Sequence, residues 1–144
     1  MRIHLAADHA GFELKEKVKA FLAEQGYELE DHGAFELDKK DDYPDFIAPC
    51  AEAVANEKGS MGIIFGGNGQ GEAMVANRYE GVRAAVWYGG KEEVVRLSRE
   101  HDNANILSVA ARFVDEEEAI RIIKLWLSVP FSKDERHVRR LAKF

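Results

Sequence analysis

The chain has 144 residues, 46% hydrophobic and 32% charged, with a formal net charge of −6. That length suits one domain able to bury a core without disulfides or metals, and the composition excludes a disordered chain. An excess of 26 Asp and Glu over 20 Lys and Arg argues against broad nucleic-acid binding, and the single cysteine, Cys50, excludes an internal disulfide or a cysteine-rich zinc site.

Arg2 to Ala7 reads as a short buried strand. Gly11 to Gln25 carries apolar residues at helical spacing, with Gly26 as its stop. Tyr27 to Glu30 reads as a weaker strand, and the acidic stretch from His32 to Tyr43 as a loop. Pro44 opens a helix to about Glu57. Met61 to Phe65 has the unbroken apolar character of a buried parallel strand. A glycine-rich loop follows, then a helix from Glu72 to Tyr79, a strand from Val82 to Trp87 and an amphipathic helix from Lys91 to His101. Ile106 to Val109 is the fifth strand, and Asp115 caps a helix that runs to Leu127. The charged tail predicts a last helix from about Lys133.

Strands alternating with helices imply βαβ units. The expected fold is α/β: a doubly wound, Rossmann-type, five-stranded parallel sheet of order 2-1-3-4-5, with helices on both faces and a helical tail. Residues 1–144 read as a single domain. No run of about 18 apolar residues is present, so no membrane association is expected. The first residues carry charge within their apolar stretch, unlike a signal peptide, and a reducing cytoplasm is the expected compartment.

In such sheets ligands bind beyond the carboxyl ends of the strands where the order reverses, here between strands one and three. Two unusual loops fall there: Asp8-His9-Ala10-Gly11, and Gly66 to Glu72 with four glycines in six residues. The second loop has Walker-type glycine spacing but ends in Glu72, whose carboxylate would repel a nucleotide phosphate. The dinucleotide pattern fails at the same position. What remains is a bare backbone turn feeding a helix N-terminus, suited to an anion or a developing oxyanion. Glu72 there is either a dipole-compensating carboxylate or a general base.

Other residues carry weaker signals alone. His9 reads as a loop residue capping the next helix, and His101 as a cation at a helix C-terminus. Arg136 and Arg140 lie one turn apart and fit a phosphate clamp, against the plainer reading of a solvated basic face. The five histidines show no metal-ligand spacing, so no metal is expected.

Taken jointly, these segments resemble the ribose-5-phosphate isomerase B family, which includes galactose-6-phosphate isomerase subunits. The likeness runs nearly end to end. It is carried by Ala7 to Lys15, Asp42-Tyr43-Pro44, the loop Gly66 to Glu72, Ala76-Asn77-Arg78, Gly81 to Ala84, Ser98 to His101 with Asn103-Ala104-Asn105, Arg112, and Arg136-His137 with Arg139-Arg140. The resemblance implies a homodimer with its active site at the subunit interface, dimer pairing into a tetramer being the alternative assembly. It implies no cofactor, and aldose–ketose interconversion of a sugar phosphate through a cis-enediolate.

One branch of the family uses a cysteine at the start of the glycine loop as its base, where this chain has Gly66. The other uses a glutamate at the loop's end, and Glu72 matches it. The loop's usual Ser or Thr is Asn68 here, an amide that can still donate a hydrogen bond. His101 matches the ring-opening histidine, and Asp102 stands beside it where Asn is usual. Arg112, Arg136, His137 and Arg140 match phosphate contacts, partly given by the neighbouring subunit. Asp8, His9 and Tyr43 match sugar-lining positions, and Asn103 joins the substrate set. Gly67, Gly69 and Gly71 are candidate backbone donors. The expected reaction is ribose 5-phosphate to ribulose 5-phosphate. The alternatives are isomerisation of a six-carbon phosphosugar, such as galactose 6-phosphate or allose 6-phosphate, and a non-catalytic phosphate-binding module.

Overall fold

Five strands and six helices alternate along the computed structural model, which describes residues 1–144: β1 (Arg2–Ala7), α1 (Phe12–Glu24), β2 (Glu28–Asp31), α2 (Pro44–Asn56), β3 (Met61–Gly66), α3 (Gln70–Ala76), β4 (Ala84–Trp87), α4 (Glu92–Glu100), β5 (Ile106–Ala110), α5 (Glu116–Ser128) and α6 (Glu135–Leu141). Local chemistry sets several of these ends. Gly26, at φ +82°, lets α1 close with paired bonds from Gly26 N–H to Ala23 C=O and from Tyr27 N–H to Leu22 C=O. The Asp115 carboxylate accepts the Glu118 N–H at 2.8 Å and starts α5. Helix α3 begins two residues earlier than the sequence suggests, because Gly69 takes the left-handed conformation and turns the chain at once. No helix is long and apolar enough to cross a membrane.

All five strands are parallel, in the order β2-β1-β3-β5-β4. The doubly wound sheet is as expected, but its last two strands exchange places relative to 2-1-3-4-5. Burial explains the exchange. β5 is buried at all five residues and takes the inner position, whereas β4 is only half-buried at three of its four and takes the edge. The chain therefore moves outward through α3 to β4 and returns through α4 to β5. Crossovers are right-handed, so a returning connection places its helix on the opposite face from an outgoing one. Accordingly α1, α4 and α5 cover one face, around Leu5, Ile63, Leu107 and Trp126. Helices α2 and α3 cover the other, around Ala6, Ile64, Ile106 and Cys50. The reversal between β1 and β3 is untouched by the exchange.

The outer edge of β4 is partly closed by a side chain. The Asn77 amide donates to Ala84 C=O at 3.1 Å, and its oxygen accepts the Ala84 N–H at 2.7 Å.

One ion pair ties the first helix to the start of the loop after β2. Lys15 is fully buried, and its ammonium donates to both Asp31 oxygens (2.7 and 2.8 Å) and to Ala34 C=O (2.7 Å). Lys19 and the Gly33 N–H complete the shell of Asp31. Burial works against ionisation of Asp31, but these donors outweigh it and hold its carboxyl below the usual range.

Lys15→Met should lower unfolding stability by about 3 kcal/mol in urea titrations, since it strands a half-buried carboxylate. A depressed carboxylate stabilises above its unfolded pKa and loses that contribution as pH falls through its folded one. The gap between wild type and Asp31→Asn should therefore shrink below about pH 4.

Candidate active site

Strands β1, β3 and β5 deliver their C-terminal ends to one cleft of about 250 Å³, lined by Asp8, His9, Ala10, Tyr43, Gly67, Asn68, Gly71, Glu72 and Arg112. The expected switch point is therefore a real concavity, and both unusual loops line it.

Glu72 lies in the first turn of α3 and is 4% exposed. Its carboxylate rests against the bare α-carbon of Gly66. A Cβ on residue 66 would collide with both Glu72 oxygens, so the carboxylate in this position requires glycine at 66. Burial pushes the Glu72 carboxyl above its ordinary value; its backbone hydrogen bond opposes this, and the negative charge of Asp8 adds to it. A carboxylate whose pKa is raised in this way is chemically able to exchange protons closer to neutral pH than a free glutamate.

The loop beside it is rich in free donors. The backbone N–H groups of Gly67, Asn68, Gly69 and Gly71 make no hydrogen bond within the chain. The Asn68 carboxamide oxygen accepts the Gln70 N–H at 2.9 Å, which commits the oxygen to the turn and leaves its NH₂ unpartnered. The buried Ser108 hydroxyl donates to Gly69 C=O at 2.7 Å and fixes the loop from below. Glycines also bring the lining side chains close. A Cβ at Gly71 would sit 2.6 Å from the Tyr43 hydroxyl, and one at Gly67 would sit 3.1 Å from the Arg112 guanidinium. Arg112 is carried there by pairing beyond β3 and β5, where the Arg112 N–H donates to Gly67 C=O at 3.0 Å.

On the opposite wall, Asp8 turns one oxygen back to the N–H groups of Ala10 and Gly11 (3.0 and 3.2 Å), which shapes the turn into α1. His9 is held by Asp41. The Asp41 carboxylate accepts from both the His9 Nδ1 (2.6 Å) and the His9 N–H (3.1 Å). Sequence reasoning missed Asp41. It stands in an acidic loop beside Asp42, and nothing in the local pattern tells the two apart. His9 is thus not a helix cap but a ring fixed by a carboxylate, with Nδ1–H toward Asp41 and Nε2 left over.

The remaining candidates lie elsewhere in the chain. His101 and Asn103 precede β5, while Arg112 follows it, so a strand roughly 16 Å long separates them. His137 packs its ring on His101, with centroids 4.2 Å apart, and bonds to the Ser132 hydroxyl at 2.9 Å. Burial, then His101 and Arg136, push the His137 imidazole below its ordinary pKa. Arg136 and Arg140 are exposed on α6 beside this pair. Asn103, at φ +46°, is fixed by the Arg83 and Arg99 guanidiniums. Asp102 lines a separate hollow of about 410 Å³ with Arg83 and Phe144. Cys50 is fully buried in α2, where burial pushes its thiol far up, so it is an inert core residue.

Comparison with known proteins bears on the family and the fold. The ribose/galactose isomerase family model matches residues 3–144. A ribose-5-phosphate isomerase B of Mycolicibacterium paratuberculosis is 40% identical over 141 residues, covering 98% of this chain and 87% of that protein. The Escherichia coli K12 ribose-5-phosphate isomerase B is 34% identical over 140 residues, covering 97% of this chain and 91% of its own. Among solved structures, the Mycoplasma genitalium ribose-5-phosphate isomerase B with bound ribulose-5-phosphate superposes with a TM-score of 0.92 at 38% identity, covering 99% of this chain and 92% of that one. The Thermotoga maritima enzyme gives 0.91 at 42% identity, covering 99% and 95%. A model match across almost every residue, and relatives alike in both sequence and backbone, place the conclusion beyond fold alone: the chain belongs to the ribose/galactose isomerase family.

Proposed function

We propose that this chain interconverts ribose 5-phosphate and ribulose 5-phosphate, with Glu72 moving the proton between C2 and C1 of a cis-enediolate. The observation that carries the reading is a buried, pKa-raised carboxylate in one cleft with Gly67, Asn68 and Gly71, whose backbone N–H groups are unpartnered. A proton next to a carbonyl is weakly acidic, so its removal needs a base together with donors for the developing oxyanion. Glu72 is the base. The N–H groups of Gly67, Asn68, Gly69 and Gly71, with the Asn68 amide, hold the enediolate oxygens. Asp8, His9 and Tyr43 orient the sugar hydroxyls, and Arg112 takes the phosphate end.

A second copy of the chain supplies the rest. The ring-opening His101, Asn103 and the phosphate-holding Arg136, His137 and Arg140 sit at the far end of β5 from Glu72, so one chain cannot place both sets on one small sugar. A two-fold homodimer brings the α4 and α6 end of one protomer to the cleft of the other. It works as one cytoplasmic isomerase domain of 144 residues in the pentose phosphate pathway, with no nucleic-acid partner and with neither cofactor nor metal taking part in the reaction.

Glu72→Gln should bind ribose 5-phosphate yet lose roughly 10²–10⁴ in kcat, together with solvent deuterium incorporation at C2. Exchange at the wild-type rate would place the base elsewhere. A coupled assay over five- and six-carbon aldose phosphates should favour the pentose; preference for a six-carbon sugar would move the substrate and leave the chemistry. The acid limb of the wild-type kcat/KM profile should lie above the ordinary glutamate value of about 4.3. The same raised pKa means that the fold disfavours the ionised form. That penalty is absent below the ordinary pKa and complete above the raised one. Glu72→Gln should therefore resist urea better than wild type at neutral pH, with the difference vanishing near pH 4.

Gly66→Ala should remove activity as thoroughly as Glu72→Gln, because the new Cβ displaces the carboxylate. A crystal structure of that variant should show Glu72 turned away from residue 66.

Mixing inactive Glu72→Gln chains with inactive His101→Asn chains should restore activity. Random pairing leaves about a quarter of the sites with both native residues. No recovery after dissociation and reassociation would show that each protomer builds its site alone.

A further inference from the structure

A second cluster of titratable groups lies outside the cleft lining, between the first half of β1 and the carboxyl end of β2. Parallel register sets His4 beside Glu30, and His32, two residues beyond Glu30, joins the same face. His4 Nδ1 stands 3.0 Å from His32 Nε2 and 3.8 Å from Glu30 Oε2, while His32 Nε2 stands 3.9 Å from Glu30 Oε1. Behind His4, its other ring nitrogen, Nε2, meets Glu57 Oε2 at 3.0 Å. His4 is 1% exposed, whereas the Glu30 side chain is 47% exposed and gives the group an opening to solvent.

We propose that His4, His32 and Glu30 form a binding site for a divalent transition-metal ion of the zinc type, which pins the edge strand β2 to β1.

Three observations support the site. The three donor groups are spaced at 3.0–3.9 Å, bracketing the roughly 3.3 Å between neighbouring ligands of a tetrahedral ion with bonds of about 2.0–2.1 Å. Neither Glu30 contact is short enough to be a hydrogen bond, so the carboxylate faces the two rings without bonding to them. Glu57 accepts the proton on His4 Nε2, which leaves the Nδ1 lone pair pointing into the cluster; this is the carboxylate–histidine arrangement that orients metal-binding imidazoles.

Arg2 is the competing cation. Its guanidinium lies 3.3 Å from Glu30 and 3.4 Å from Glu57, but its shortest contact is with Glu28 at 2.5 Å. Anchored on Glu28, it can give up Glu30 to an incoming ion. Without an ion, the same geometry is a hydrogen-bond chain from His32 through His4 to Glu57, so the two readings differ in what added metal does.

The test titrates the purified full chain with ZnCl₂ by calorimetry and with CoCl₂ by visible absorption. The expected result is one ion per chain, ligand-field bands of a tetrahedral cobalt site, and a rise in Tm with zinc. His32→Ala and Glu30→Gln, neither at a fully buried position, should each weaken binding at least about tenfold and abolish the Tm rise. Glu57→Gln should weaken it by about 10–100-fold. His9→Ala should bind zinc as wild type does, and isomerase activity of His32→Ala should be unchanged. If a variant misfolds, cadmium-113 NMR of the wild type, with coupling to the His4 and His32 ring protons, decides the ligands. The proposal is overturned by absence of binding at micromolar metal, or by binding that survives in His32→Ala and is lost in His9→Ala.

Discussion

The close approach of the Glu72 carboxylate to the backbone of Gly66 is the constraint on which the cleft depends. A carboxylate can be buried there only because residue 66 has no side chain. Burial in turn raises its pKa, and a raised pKa is what makes a glutamate useful at neutral pH. The rest of the cleft follows from the same economy of volume. Gly71 admits the Tyr43 hydroxyl, Gly67 admits the Arg112 guanidinium, and Gly11 lets the start of α1 settle on the backbone of Phe65. The glycines act less as hinges than as missing walls, through which functional side chains reach the space above the sheet.

The sheet supplies the rigid part. β3 lies between β1 and β5 and is buried along its whole length. Its three neighbours in function, the Asp8 turn, the glycine loop and Arg112, all emerge from strands hydrogen-bonded to one another. Positions set by strand register hold to fractions of an ångström, which suits chemistry that depends on alignment. Loop residues add adjustment: Asp41 steadies His9, and Ser108 steadies Gly69.

How much of this was legible in the sequence varied with the range of the interaction. The strands β1 and β3, the helix ends at Gly26 and Asp115, and the cleft at the β1–β3 reversal all follow from local composition and connectivity, and each is found. The exchange of β4 and β5 was not legible. Both read as short apolar strands, and only the three-dimensional comparison of their burial tells the inner from the outer. Glu72 was visible as a candidate, but its contact with Gly66 depends on backbone geometry. Asp41 and the pairing of His4 with His32 join residues distant in sequence across a loop or a strand pair, and no spacing rule announces them. The separation of His101 from Glu72 needed the element order along β5 as well as the two residues.

The Asn77 amide at the edge of β4 bears on how copies of this chain can meet. By strand alternation, Ala84 and Val86 are the residues of β4 whose backbone groups face away from β5. Asn77 already occupies both groups of Ala84, so it behaves as a strand one residue long that ends the sheet. An incoming strand would have to evict it and find register on Val86 alone. Growth of the sheet from chain to chain, the route that leads from exposed edges to fibrils, is blocked at this edge by a single side chain. Any contact between copies on this side of the sheet is thereby left to helices and loops.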